Sequence, residues 1–261
     1  MYRPKAWIKL IALIVLATLV TRNINKSVEI RLERKTTETT TISTTFSVPT
    51  RKVKKVIIRG ERHSGTNWFR SLLSKNCPSL TFKLTKSSDI DSKYGWKHAK
   101  LNLTSIPEDE LIVVITRDIK TWLPRLRLNT YEKVPASGLN MTEFLTSKWL
   151  PDLSVDDHYR DVFHMRYEKY SNWYNYAQKF SDRVVLVKYE DLVKDSYSVF
   201  QKLKNYGVPV NDHFQDIKTY SKHGRRNDKI FTEPEYDWLA KDLEIIDKKY
   251  DEHIENLVGY K

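Results

Sequence analysis

Apolar positions along the chain fall into a few sharply bounded runs, and each run predicts a different kind of element. The first is Leu10 to Val20, LIALIVLATLV, apolar on every side. Extended back to Ala6 across Lys9, whose stem can snorkel, it is a stretch of about 15 residues, short for a full membrane span. Residues 22–52 read as a stem. Their centre, TTETTTISTT at 36–45, buries no apolar surface and belongs to the Ser/Thr-rich kind that carries O-glycans.

From Lys54 the pattern changes. Val56-Ile57-Ile58, Leu111-Ile112-Val113-Val114-Ile115 and Val184-Val185-Leu186-Val187 are short continuous apolar runs, as expected of strands buried on both faces of a parallel sheet. A helix is expected to start at Trp68–Leu73 after the first run and to cover 191–205 after the third. Residues 158–180 form an aromatic-rich helical stretch in which Phe163, Tyr167, Tyr170 and Tyr174 recur at 3–4 spacing and so predict a core-facing side. A last helix is predicted over 234–254, opened by Pro234. Strands alternating with helices predict an α/β fold with a central parallel sheet flanked by helices.

Composition narrows the function. At 261 residues, 40% hydrophobic and 30% charged, the chain can bury a full core. Seven Gly and nine Pro exclude a collagen-like or low-complexity chain. One cysteine, Cys77, excludes a disulfide scaffold, a Cys-based zinc site and a CxxC redox pair. The net charge of +12 is concentrated at the start: residues 1–55 hold 12 Lys/Arg and 3 Glu, which leaves only +3 for residues 56–261. That balance argues against a broad nucleic-acid-binding face. Arg3, Lys5 and Lys9 ahead of the apolar run make a signal sequence. Thr21-Arg22-Asn23 offers no small-x-small cleavage site, which favours an uncleaved signal-anchor over a cleaved peptide. The chain therefore divides into a cytoplasmic tail (1–9), a signal-anchor (10–21), a Thr-rich stem (22–52) and a globular domain (53–261). Three N-glycosylation triplets begin at Asn25, Asn102 and Asn140.

The chemistry is read first from the loop after the first strand, Arg59-Gly60-Glu61-Arg62-His63-Ser64-Gly65-Thr66-Asn67-Trp68. Strand, Gly-containing loop and helix present backbone N–H groups and a helix N-terminus to an anion. Gly60 and Gly65 have the spacing of the phosphate-binding pattern GxxxxGK[ST]. Thr66 stands where that pattern has its Lys, and Asn67 where it has the hydroxyl that holds Mg²⁺. The anion cradle is kept while the groups needed for metal-assisted γ-phosphoryl transfer are not.

Ser64-Gly65-Thr66-Asn67-Trp68 resembles the 5′-phosphosulfate loop of the sulfotransferases that use 3′-phosphoadenosine 5′-phosphosulfate (PAPS), commonly written PKSGTTW. Arg62-His63 stands at the family's Pro-Lys, so one of these two would supply the charge that the Lys gives to the bridging oxygen. The resemblance implies a P-loop-like three-layer fold and a metal-independent reaction with PAP as product. Three further segments follow in the family's order. Arg117 ends the second strand, as the family's 3′-phosphate Arg does, and Arg125 stands eight residues later where the family has Ser. Tyr189-Glu190-Asp191-Leu192 follows the third strand, and the family's Tyr there lies near the nucleotide. Lys222-His223-Gly224-Arg225 resembles the basic loop that closes over the 3′-phosphate. Ser64 to Asn67 would hold the phosphosulfate and Trp68 would contact adenine.

An attacking hydroxyl needs a proton acceptor, and His suits neutral pH. Gly95-Trp96-Lys97-His98-Ala99 resembles the Lys-x-His segment that carries the base in cytosolic members. His98 is the candidate, His63 the runner-up, and Lys97 would help the leaving oxygen. No His/Asp/Glu spacing suggests a metal site. The resemblance and the N-terminal layout together imply a single-pass type II protein of the Golgi membrane. It would sulfate a hydroxyl of a glycan or protein in the lumen. A P-loop kinase and a non-catalytic polyanion-binding protein are the alternatives.

Overall fold

The computed structural model describes residues 51–85, 93–128, 138–148, 159–217 and 236–260. The tail, the signal-anchor and the stem up to residue 50 lie outside them, and so do Lys222, His223, Gly224, Arg225 and Pro234. No helix among the described residues is long and apolar enough to cross a membrane.

In chain order the elements are β1 (Lys55–Gly60), α1 (Thr66–Asn76), β2 (Thr81–Lys83), β3 (Glu110–Thr116), α2 (Ile119–Leu128), α3 (Met141–Thr146), α4 (Val162–Lys179), β4 (Val184–Lys188), α5 (Tyr189–Lys204), α6 (Ala240–Lys249) and α7 (Glu252–Leu257). The four strands form one sheet in the order β2-β1-β3-β4, parallel throughout. All seven residues of β3 are buried, which explains why its sequence is a continuous rather than an alternating apolar run.

The pleat divides these side chains between two cores. Val56, Ile58, Leu111, Val113, Ile115 and Val187 pack with Phe69, Leu72 and Leu73 of α1 and with Val199, Phe200 and Leu203 of α5. Ile57, Ile112, Val114 and Val184 pack with Tyr170 and Trp173 of α4 and with Ile254 of α7. Helices on both faces of a parallel sheet make the three-layer α/β fold. A third cluster joins Trp122 and Leu123 of α2, Phe144 of α3, Phe163 of α4 and Ile246 of α6. Cys77 is buried in the α1 side of the core, where burial pushes its thiol up to about 12 and leaves it unreactive.

Three local expectations are corrected. Of the four aromatics assigned to the core side of α4, Phe163 and Tyr170 are buried, but Tyr174 is half-buried and Tyr167 is 42% exposed. Trp173 supplies the burial instead, because the stretch carries aromatics nearly all round. The helix after β4 begins at Tyr189, two residues earlier than expected. The C-terminal region is two helices: Tyr250 leaves the helical conformation, and the Asp251 side chain accepts from the Ile254 amide to cap α7. Of the glycosylation triplets, Asn102 is exposed between buried Leu101 and Leu103. Asn140 caps α3 by accepting from the Glu143 amide, and Asn25 lies outside the described residues.

The strand order places the site. From β1 the chain moves outward to β2, then returns to β3 on the other flank of β1. Connections leaving adjacent strands in opposite directions open a crevice at the strands' C-terminal ends. Here those ends are Gly60 and Thr116, level across the β1–β3 ladder, in which Gly60 pairs with Ile115.

Candidate anion-binding site

The loop from Glu61 to Gly65 closes over this crevice. The Ser64 amide and hydroxyl both donate to the Glu61 carbonyl, at 3.2 and 2.7 Å, and close a tight turn. Trp122 Nε1 donates to the Arg62 carbonyl at 2.8 Å, and Arg117 Nη1 to the His63 carbonyl at 2.6 Å. Three successive carbonyls are thus held by the protein. His63 takes a left-handed φ of 62°, uncommon for a residue with a side chain.

Both glycines of the motif have a steric reason. A Cβ on Gly60 would lie 2.4 Å from the Ile115 carbonyl oxygen and 2.6 Å from Ser64 Oγ. One on Gly65, at φ 85°, would lie 2.6 Å from Tyr189 Cδ2. Gly65 is the N-cap of α1, offers no side chain to cap it, and no acidic residue occupies the first turn. Among the described residues, nothing accepts from the amides of Gly65, Thr66 and Asn67. Open amides at the positive end of a helix favour an anion.

Cations surround this terminus. Lys97 Nζ lies 3.4 Å from Asn67 Oδ1. Burial and then the charges of Arg70 and Arg62 lower its ammonium pKa to about 8. An added negative charge would relieve that repulsion. Arg62 lies over the Trp96 ring at 4.6 Å.

Arg117 is buried at the end of β3. Its Nε donates to Thr121 Oγ1 at 3.2 Å, and its guanidinium lies 4.5 Å from the centre of the Tyr189 ring. Its amide donates to Tyr170 Oη, while its carbonyl accepts from Tyr170 Oη and from Arg166 Nη2. Asp118 caps α2 by accepting from the Lys120 and Thr121 amides.

His98 is 6% exposed, with Nδ1 at 2.6 Å from the Gly60 carbonyl. A carbonyl only accepts, so Nδ1 carries the proton and Nε2 the lone pair. Burial first, then the Lys97, Arg62 and Lys169 charges, hold its pKa well below the ordinary histidine value against the opposing Gly60 bond. The imidazole is therefore neutral at pH 7, in the tautomer a proton acceptor at Nε2 requires.

The structure thus brings Arg62 to Asn67, Lys97, His98, Arg117 and Tyr189 around the ends of β1 and β3. Trp68 packs edge-on against Tyr189 at 5.9 Å and donates Nε1 to the Ile217 carbonyl at 2.7 Å. Arg125 is half-buried in the last turn of α2. Among the described residues, no group of three or more His, Cys, Asp or Glu converges as a metal site would.

Several supporting residues escaped the sequence reading. Lys169 pairs with Glu61 at 3.4 Å with both side chains buried, and Arg166 pairs with Glu255 beneath Arg117. Arg59 is buried inside β1. Only Arg59 carried a signal, a charged residue continuing an apolar strand.

No family model and no curated protein sequence matches the chain. Among solved structures it is similar to the mouse sulfotransferase SULT7A1 complexed with PAP, at 16% identity and a TM-score of 0.36. The similarity covers 61% of this chain and 60% of that one, so it spans less than two thirds of the mouse protein.

Proposed function

We propose that the chain is a PAPS-dependent sulfotransferase acting on a hydroxyl of a glycan or protein acceptor in the Golgi lumen, held to the membrane by residues 10–21. The observation that carries this reading is the uncapped start of α1. Open amides at Gly65, Thr66 and Asn67 meet the repelled ammonium of Lys97, with neither the Lys nor the metal-binding hydroxyl that triphosphate chemistry uses.

When bound, the donor supplies an activated sulfuryl group already joined to its leaving phosphate. The chain's own residues hold, orient and move a proton. The amides of Gly65 to Asn67 bind the phosphosulfate end, on a turn whose shape Ser64 sets. Lys97 stands beside Asn67 and supports charge on the leaving oxygen, with Arg62 and His63 contributing from the loop. Arg117 binds the 3′-phosphate as a planar fork, with Arg125, Lys222, His223, Gly224 and Arg225 on the same phosphate. Trp68 and Tyr189 face the adenosine portion. His98 accepts the acceptor hydroxyl's proton at Nε2 while Gly60 fixes the ring through Nδ1.

Calorimetry with PAP in EDTA tests the reading. Micromolar binding without a metal is expected. Absence of binding, or turnover of ATP that requires Mg²⁺, would overturn it.

A further inference from the structure

Arg59 is the fifth residue of β1, lies opposite Val114 in the ladder and is 0% exposed. A cation in that position is costly to bury unless paired and fully hydrogen-bonded. Among the described residues no carboxylate pairs with it. Its partners are four main-chain carbonyls. Nη1 donates to Tyr94 and, at 3.2 Å, to Gly95; Nη2 donates to Ala99 at 2.9 Å and Lys100 at 3.1 Å. These carbonyls come from the two ends of one loop. Between them stand Trp96, Lys97 and His98.

Gly60 adds two more ties to the same loop. Its amide donates to the Lys97 carbonyl at 3.1 Å and its carbonyl meets His98 Nδ1 at 2.6 Å. The last two residues of β1 therefore grip the loop twice, from inside its neck and along its edge. A central strand of the sheet, paired on both sides, sets where the loop stands.

We propose that Arg59 is the positioning residue for Lys97 and His98, its guanidinium tying the neck of their loop to β1. The fork is needed as well as the charge. Two nitrogens in one plane reach two carbonyls each, and a lysine ammonium at one point cannot hold both ends of the neck. A buried apolar side chain would suit the strand better, but it would leave four carbonyls without donors.

The catalytic meaning of the proposal rests on the sulfotransferase reading; its structural content does not, so the test has two readouts. In Arg59→Lys, NMR of the His98 imidazole is expected to show the ring losing its single Nδ1–H tautomer and titrating closer to an ordinary histidine. Turnover is expected to fall about 10²-fold, as for a displacement of roughly 1 Å, and PAP binding to weaken as Lys97 moves from Asn67. An unchanged His98 signal in folded Arg59→Lys overturns the proposal whether or not the chain transfers sulfate. If the wild type shows no sulfuryl transfer, the functional reading fails and the imidazole signal still decides the positioning role. Should Arg59→Lys not fold, hydrogen exchange of the wild type decides. The Gly60 and Ala99 amides, which donate to Lys97 and Trp96, are expected to exchange as slowly as the β1 core. Exchange at the rate of a surface loop overturns the proposal.

Discussion

Arg117 Nη1 donates to the main-chain carbonyl of His63 at 2.6 Å, so the buried arginine at the end of β3 holds the turn that follows β1. The bond crosses the crevice between the two strands. One side chain thus serves the proposed 3′-phosphate and fixes the shape of the phosphosulfate loop. Tyr189 lies against the same guanidinium, and its ring occupies the space that a Cβ on Gly65 would need. The Gly65 position, the turn and the arginine are consequently one packing unit.

Removing the guanidinium should therefore cost more than a phosphate contact alone. Arg117→Ala is expected to weaken PAP binding by at least about 1.5–3 kcal/mol, the range for a hydrogen bond to a charged group taken alone. Calorimetry reads this directly, and an unchanged Kd would remove Arg117 from the site. Arg117→Lys is expected to recover only part of the loss, because it restores the charge without the fork or the ring contact.

Lys97 links binding to pH. Its ammonium pKa is lowered to about 8, so the free protein carries it partly neutral above that pH. An anion beside it favours the charged form and raises the pKa. Binding of PAP at pH 8–9 should then take up a proton, and affinity should fall as pH rises through about 8. Calorimetry in buffers of different ionisation enthalpy measures the proton, and Lys97→Met should abolish it. Stability runs the other way. The folded value lies below that of the unfolded chain, so the fold gains stability as pH rises from about 8 toward 10.5.

His98→Ala is expected to slow turnover by about 10²–10⁴-fold with PAP affinity intact, the usual contribution of a positioned proton acceptor. The pH profile separates His98 from an ordinary surface histidine. Its pKa lies well below 6.5, so kcat should show no inflection near that pH and should fall only in more acid solution. A limb near 6.5 that persists in His98→Ala would move the base to another group such as His63.

The frame around these groups was largely legible in the sequence. Val56 to Ile58, Leu111 to Ile115 and Val184 to Val187 read as buried strands because a sheet covered on both faces needs apolar side chains at every position. Gly60 and Gly65 read as a cradle because their spacing reflects two close approaches. β2 was not legible: Thr81-Phe82-Lys83 is a short edge strand, exposed or half-buried, with no apolar run. The buried charges were hidden for a different reason. Glu61 and Lys169 lie 108 positions apart, and Arg166 and Glu255 lie 89 apart. Each side chain taken alone belongs to a solvated surface, and only tertiary structure shows that it is buried with a partner. The break between α6 and α7 turns on a local competition, the Asp251 cap against continued helix, that apolar spacing does not weigh.

The Arg166–Glu255 pair separates support of the fold from support of the site. Both side chains are almost fully buried, and Arg166 Nη2 also donates to the Arg117 carbonyl at 2.8 Å. Arg166→Met strands the Glu255 charge and should destabilise the protein by about 3–5 kcal/mol, read as a lowered urea midpoint. Pairing it with Glu255→Leu removes the stranded charge, and because apolar replacements of buried pairs are often neutral, most of the stability should return. The Arg117 carbonyl still lacks the Arg166 donor in the double variant and, among the described residues, keeps Tyr170 Oη. PAP affinity should therefore stay reduced when stability has recovered. If affinity returns together with stability, Arg166 serves the fold alone and Arg117 does not depend on it.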